Sequence, residues 1–396
     1  MIEKRLVFVF PGFEPMLATA HMERFRRAAE RSASIWAAEL RLDQAKPSAS
    51  APADTLFPSL HATLGGTGWR TETELIFCEW GDLIFAYRSR PAIERLSRGL
   101  LALTDFLVTG TVFHYCRVSW RYAFFFAFPI VVITAALLIG WLVHTALTAL
   151  LAGTAGSAIG SVLGFVAALA WLFLAERRWH LLTAMDDWAL ARDLCRERNP
   201  ALSARIERQA EEIAALAAAS EAGEIVVAAH SLGASFAVLA LDRALADGHL
   251  ESRQWHILTV GSSLLKTALH PAARTQRAAV RRLVADHRIA WTDCQGLSDP
   301  INFYNSNPAT SLGLRQGRTP LVVRVHFRRL VSPPTYRRIK RDFFRLHRQF
   351  VLAVERRCPY SFHMLLLGPR PLADFAATKS VDVPPLAPSA REGVRA

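Results

Sequence analysis

From Tyr122 to Ala175 the chain runs for 54 residues without an Asp, Glu, Lys or Arg. A helix needs roughly 20 apolar residues to cross a bilayer, so this stretch is long enough for two crossings. A pair of buried helices in a soluble core is the alternative, but such a core does not call for so long a run without charge. The middle of the stretch, Ala152 to Ser157, is made of small, turn-prone residues. The reading is therefore two helices, about 122–146 and 156–175, joined by a short loop. Gly156, Gly160 and Gly164 recur every fourth residue, a strip that lets two helix backbones approach closely. Tyr122, Trp141, Trp171 and Trp179 are placed where aromatic rings favour the membrane interface. Arg117 and Arg121 precede the hairpin and Arg177 and Arg178 follow it. Positive flanks at both outer ends predict that both lie on the cytoplasmic side of an inner membrane.

The remainder reads as an ordinary globular domain divided by the hairpin. Its expected parts are 1–120, the hairpin 121–176, the continuation 177–370, and a Pro- and Ala-rich tail, 371–396, expected to be disordered. Arg5 to Phe10 is a short apolar run that stops at Pro11-Gly12, and it reads as a buried strand. Residues 18–42 show helical spacing, 43–70 read as a long loop, and Thr71 to Trp80 as a second strand. Helices are expected at 93–108 and across 180–220, with a break at Asn199-Pro200. Glu224–Ala229, Trp255–Val260, His287–Thr292 and Leu321–Leu330 read as further strands. Helices are expected at 235–246 and about 335–356. Strands alternating with helices predict an α/β fold, a mostly parallel sheet with helices on both faces.

Five cysteines, Cys78, Cys116, Cys195, Cys294 and Cys358, are scattered and form no C-x-x-C pair. This argues against a disulfide framework or a zinc site and for a reducing compartment. The apolar run at Met1–Phe10 is too short for the core of a signal peptide. No phosphate-binding glycine loop and no metal-ligand cluster stands out, so no cofactor and no metal are expected. The formal charge of +13 comes almost wholly from arginine. Between Arg315 and Arg357 twelve arginines and one lysine face only Asp342 and Glu355. An anionic membrane surface is the simplest partner. No recognition motif supports nucleic acid, and a plain solvated face is the bland reading. Oligomeric state is not legible.

Chemistry concentrates at Ile225-Val226-Val227-Ala228-Ala229-His230-Ser231-Leu232-Gly233-Ala234-Ser235. A buried strand runs into a small-His-Ser-x-Gly turn and then into a helix. A serine on so tight a turn requires small neighbours two residues away, and Ala229 and Gly233 supply them. Here the sequence resembles the α/β-hydrolase superfamily, its lipase and esterase branches in particular, where A-H-S-x-G or G-H-S-x-G is common. Ala229 stands in place of the usual first glycine. The resemblance implies Ser231 as nucleophile and the Leu232 N–H as one oxyanion donor. A second donor is implied from the loop after an early strand, Val9-Phe10-Pro11-Gly12-Phe13-Glu14. Pro11, which has no N–H, replaces the usual histidine, so Phe13 is the expected donor. A structural turn is the alternative there. The family's order is Ser, acid, His. Asp299, in Asp299-Pro300-Ile301, is favoured as the acid over Asp293. His347 is favoured as the base because His347 to Phe350 matches the H-x-x-aromatic pattern of lipases, with His363 and His326 as alternatives. His230 is read as structural. The implied activity is hydrolysis of an ester or thioester of a lipid or other apolar acyl substrate at the membrane. The alternatives are a non-catalytic membrane scaffold on the same fold, or an acyltransferase using the same triad.

Overall fold

The structure of the chain, a computed structural model, describes residues 1–44, 57–151, 153–246 and 253–382. The chain forms two compact units. One comprises 1–81, 203–265 and 274–396, and the other 82–202 and 266–273.

The first unit is built on one eight-stranded sheet. Its strands are β1 (Lys4–Phe10), β2 (Glu39–Gln44), β3 (Ser59–Gly66), β4 (Trp69–Phe77), β5 (Glu224–His230), β6 (Trp255–Val260), β7 (Ile289–Gly296) and β8 (Leu321–Val325). Their spatial order is β2-β3-β4-β1-β5-β6-β7-β8. The pairs β4–β1, β1–β5, β5–β6, β6–β7 and β7–β8 are parallel, and β2–β3 and β3–β4 are antiparallel. The fold is thus α/β with a mixed, mostly parallel sheet. The central strands are apolar on both faces: Leu6 to Phe10 and Ile225 to Ala229 are buried without a break. In β3 only alternate residues, Leu60, Ala62 and Leu64, are buried, as suits an antiparallel strand with one covered face.

Several local expectations need correction. The helix expected over 18–42 ends at Ile35; Ala37 turns at φ +51° and the alternating Glu39–Gln44 pairs as β2. The loop expected over 43–70 contains β3, joined to β4 through Thr67 and Gly68, the latter at φ +79°; residues 45–56 of it lie outside the described residues. The strand read as His287–Thr292 starts later and runs on to Gly296. The last strand stops at Val325, and Phe327–Leu330 turns as helix. The single helix expected at 335–356 is two, Pro333–Ile339 and Phe343–Arg348. Asp342 breaks it by accepting a hydrogen bond from the Arg345 N–H at 3.0 Å, as an N-cap does.

The first part of the tail is folded, contrary to the expectation of disorder; residues 383–396 lie outside the described residues. Leu372–Thr378 is a helix that buries Leu372 and Phe375. Its anchor is Arg5, 1% exposed in the middle of the domain. The Arg5 guanidinium donates to the carbonyls of Leu366 (2.9 Å), Gly368 (2.8 Å) and Arg370 (2.7 Å) and to Glu224 (2.6 Å). Glu224 in turn accepts the Leu372 N–H at 2.7 Å. These bonds satisfy the carbonyls left over where helix Phe362–Leu367 ends.

The second unit is helical and wider than the hairpin. Ala92–Val108 packs along Leu181–Cys195. Arg95 clamps Asp186, and Arg192 and Arg196 clamp Asp105. Trp120–Leu151 and Gly153–Trp179 are long and apolar enough to cross a membrane. The turn between them is shorter than expected, with Gly153 at φ +70°. The glycine strip lies where the two helices touch. A Cβ on Gly160 would stand 2.8 Å from the His144 carbonyl, and one on Gly164 2.5 Å from that of Gly140. Tyr122 is fully buried against protein, with its ring edge-on to that of Tyr115.

Removing Arg5 leaves a row of carbonyls and one oxygen of Glu224 without this donor. Arg5→Ala is expected to lower the unfolding free energy of the first unit by roughly 3–5 kcal/mol. A denaturant titration showing a loss under about 1 kcal/mol would mean these bonds do not anchor the C-terminal segment.

Candidate active site

The turn predicted at Ser231 is present and strained. β5 ends at His230, Ser231 adopts φ +55°, and helix Gly233–Ala244 begins two residues later. A residue with a Cβ is seldom held there unless its surroundings force it. Two backbone bonds do so: the Ser231 N–H donates to Val260 at 3.2 Å, and the Ser231 carbonyl accepts from Ser263 at 3.1 Å. The turn also fits only because its neighbours are small. A Cβ on Gly233 would lie 2.3 Å from the Pro11 carbonyl oxygen, and one on Gly12 3.0 Å from the Ser231 Cβ. The Ser231 hydroxyl is 3.5 Å from that of Ser263. It is not openly displayed, since Ser231 is only 7% exposed.

The loop after β1 is held against this turn. Trp80 donates its indole N–H to the Pro11 carbonyl at 2.9 Å and stacks on Phe236 of the helix after Ser231, with ring centres 4.4 Å apart. Among the described residues the N–H groups of Phe13 and Leu232 have no acceptor. Each is thus available to an oxygen carrying developing negative charge, and the start of helix Gly233–Ala244 adds its partial positive charge. Behind the loop, burial alone would raise the Glu14 carboxyl, but the Arg24 guanidinium bonded to it outweighs burial and holds it below the usual carboxylate range. Burial, and then Arg24, push the His21 imidazole down to about 4.

Asp299 and His347 meet. His347 Nδ1 and Asp299 Oδ2 are 2.7 Å apart, both side chains buried. The other Asp299 oxygen accepts the Ile301 N–H at 2.9 Å, and Asn302 ties the loop by donating to the carbonyls of Gly296 (2.9 Å) and Asp299 (2.7 Å). Such a carboxylate fixes one imidazole tautomer, leaving Nε2 free to accept a proton. Among the described residues His347 Nε2 has no hydrogen-bond partner, and the Ser231 hydroxyl is not bonded to it. The His347 ring lies 4.7 Å from that of His230, the residue next to Ser231. Gly261, at φ +57°, makes room for it, because a Cβ there would stand 3.1 Å from His347 Cε1. Burial, and then His347, push the His230 imidazole well below its ordinary range.

The alternative residues lie elsewhere. Asp293 bonds to Thr259 (2.6 Å) and Gln295 (2.6 Å), and burial pushes its carboxyl up to about 6. His363 packs on Phe25 with ring centres 4.9 Å apart, and burial pushes it down to about 3. His326 is not inside a strand; it is exposed and precedes the turn Phe327–Leu330. Trp80, Gly261 and Ser263 shape the site and were not legible beforehand. Only the positive φ of Gly261, invisible in sequence, marks it out. Among the described residues no cluster of His, Cys, Asp or Glu is arranged to hold a metal ion. No family model, no curated protein and no solved structure matches the chain.

The Gly233–Pro11 contact yields a test. Gly233→Val is expected to push the loop away from the turn and to destabilise the domain by roughly 1–3 kcal/mol, the usual cost of overpacking. Equal thermal stability of variant and wild type would mean the close approach is absent.

Proposed function

We propose that this chain is a membrane-anchored serine hydrolase that cleaves an ester or thioester of a lipid or other apolar acyl group. One observation carries the reading: a serine held at φ +55° between a buried strand and a helix, next in sequence to His230, whose ring lies 4.7 Å from that of a histidine with Nδ1 fixed by a buried aspartate and Nε2 unpartnered among the described residues. In this scheme His347 takes the Ser231 proton as the hydroxyl attacks the acyl carbon. Asp299 stabilises the resulting imidazolium, and the N–H groups of Phe13 and Leu232 hold the oxyanion. The leaving group departs with the proton from His347, and water then releases the acyl group by the same steps.

An α/β-hydrolase relationship is part of this proposal. It is supported by Ser231 following β5, Asp299 following β7 and His347 following β8, the chain order of that superfamily. The loop carrying Phe13 follows β1, which pairs directly with the nucleophile strand. The two apolar helices support membrane anchoring. Their arginine flanks support an inner-membrane, two-pass orientation with the remaining chain in the cytoplasm. The five free cysteines agree with that side.

The test is hydrolysis of a p-nitrophenyl acyl ester by the full chain in detergent. Ser231→Ala and His347→Ala should each lower kcat about 10⁶-fold, and Asp299→Asn about 10⁴-fold. Asp293→Asn should retain most of the wild-type rate. Absence of wild-type hydrolysis, together with no labelling by a fluorophosphonate, would favour a non-catalytic scaffold. Acyl transfer to an added alcohol in preference to water would instead identify an acyltransferase.

A further inference from the structure

The first unit contains a cavity of about 460 Å³ whose wall is dominated by arginine. Arg24, Arg27 and Arg31 reach it from helix Ala18–Ile35, and Arg338, Arg345 and Arg348 from the two short helices Pro333–Ile339 and Phe343–Arg348. Three of these charges are answered outside the wall. Arg24 pairs with Glu14, Arg27 with Glu23 at 3.4 Å, and Arg345 with Asp342 at 3.3 Å. Arg31 and Arg348 are felt at longer range by Glu355 and Glu14, but among the described residues neither they nor Arg338 are in a close ion pair. The one carboxylate lining the cavity, Glu355, is already engaged by the Ser332 N–H (2.7 Å) and the Thr335 hydroxyl (2.9 Å).

Two separate segments of the fold thus bring six guanidinium groups to one hollow that holds a single carboxylate, Glu355, an excess of positive charge that favours an added anion. Guanidinium groups bind phosphate oxygens in pairs, with geometry that an ammonium lacks. The floor is apolar, formed by Ala28, Val331 and Ile339, all buried. An occupant joining an anionic group to an apolar chain would suit both surfaces.

The cavity is coupled to the triad through two residues. Arg348 directly follows His347 on one short helix. Arg24 lines this cavity and also a smaller one bordered by Gly12 and His230. We infer that the cavity binds the phosphate of the substrate, so that the ester cleaved is an acyl ester of a phosphorylated alcohol, such as a lysophospholipid. This specificity rests on the hydrolase reading above. The acyl C–O bond breaks, water supplies the hydroxyl of the released acid and the hydrogen of the alcohol, and the phosphate is unchanged.

The experiment compares 1-oleoylglycerol with 1-oleoylglycerol-3-phosphate as substrates for the full chain in neutral detergent, where no anionic surface is present. Wild type should cleave the phosphorylated ester with a kcat/KM about tenfold higher or more, as expected for charge-assisted contacts. Arg31→Ala/Arg338→Ala should bring the ratio of the two values close to one. A ratio near one in wild type, or an unchanged ratio in the double variant, overturns the inference. So does binding of inorganic phosphate in the cavity without any preference between the esters, which would make it a site for a free anion. Direct binding of 1-oleoylglycerol-3-phosphate to Ser231→Ala separates this from failure of the hydrolase reading. Binding that the two arginine substitutions weaken about tenfold, in a protein whose wild type cleaves neither ester, would retain the site and discard the triad chemistry. Absence of both binding and cleavage would discard the site as well.

Discussion

The left-handed turn at Ser231 is the constraint on which the candidate site depends. A side chain at φ +55° stays there only if its neighbours leave it no alternative. Val260 and Ser263 pin its backbone on one side. On the other, the Pro11 carbonyl comes so near that position 233 cannot carry a side chain. That carbonyl is itself fixed by the Trp80 indole, which stacks on the helix following the serine. Strand β1, the loop after it, strand β5 and the next helix are therefore locked together around a few atoms. Among the described residues the same lock leaves the N–H groups of Phe13 and Leu232 without acceptors.

The Asp299–His347 pair is assembled by a different device, two loops at the ends of neighbouring strands. β7 delivers Asp299 through a turn tied by Asn302, and the chain after β8 delivers His347 through a short helix capped by Asp342. Glycines at 261 and 296 admit the Phe350 ring, and Gly261 admits the imidazole beside it. Burial penalises a pair such as Asp299–His347, and the hydrogen bonds to both carboxylate oxygens offset that penalty.

Much of this was legible in the sequence where local chemistry dictated structure. Small residues on either side of Ser231 and an unbroken apolar run before it pointed to the strained turn, and the family's chain order pointed to Asp299 and His347, which the fold brings into contact. The charge-free stretch and its glycine strip identified the paired helices, since spacing of four on a helix fixes a face. What stayed hidden depends on distant partners. β3 lies in a segment whose Pro, Ser and Gly content obscures an alternating pattern, and β2 continues a run with helical spacing; pairing makes both plain. The folded segment 371–382 depends on a buried Arg5 more than 360 residues earlier. The break at Asp342 turned on one capping bond, and the arginine cavity on two segments that only the fold brings together.

The most direct measurement is a crystal structure of the full chain after treatment with a fluorophosphonate. The account predicts a covalent bond from Ser231 Oγ to phosphorus, with the phosphoryl oxygen about 2.7–3.1 Å from the N–H groups of Phe13 and Leu232. An unmodified Ser231, or an adduct whose oxygen points away from those two groups, would contradict it.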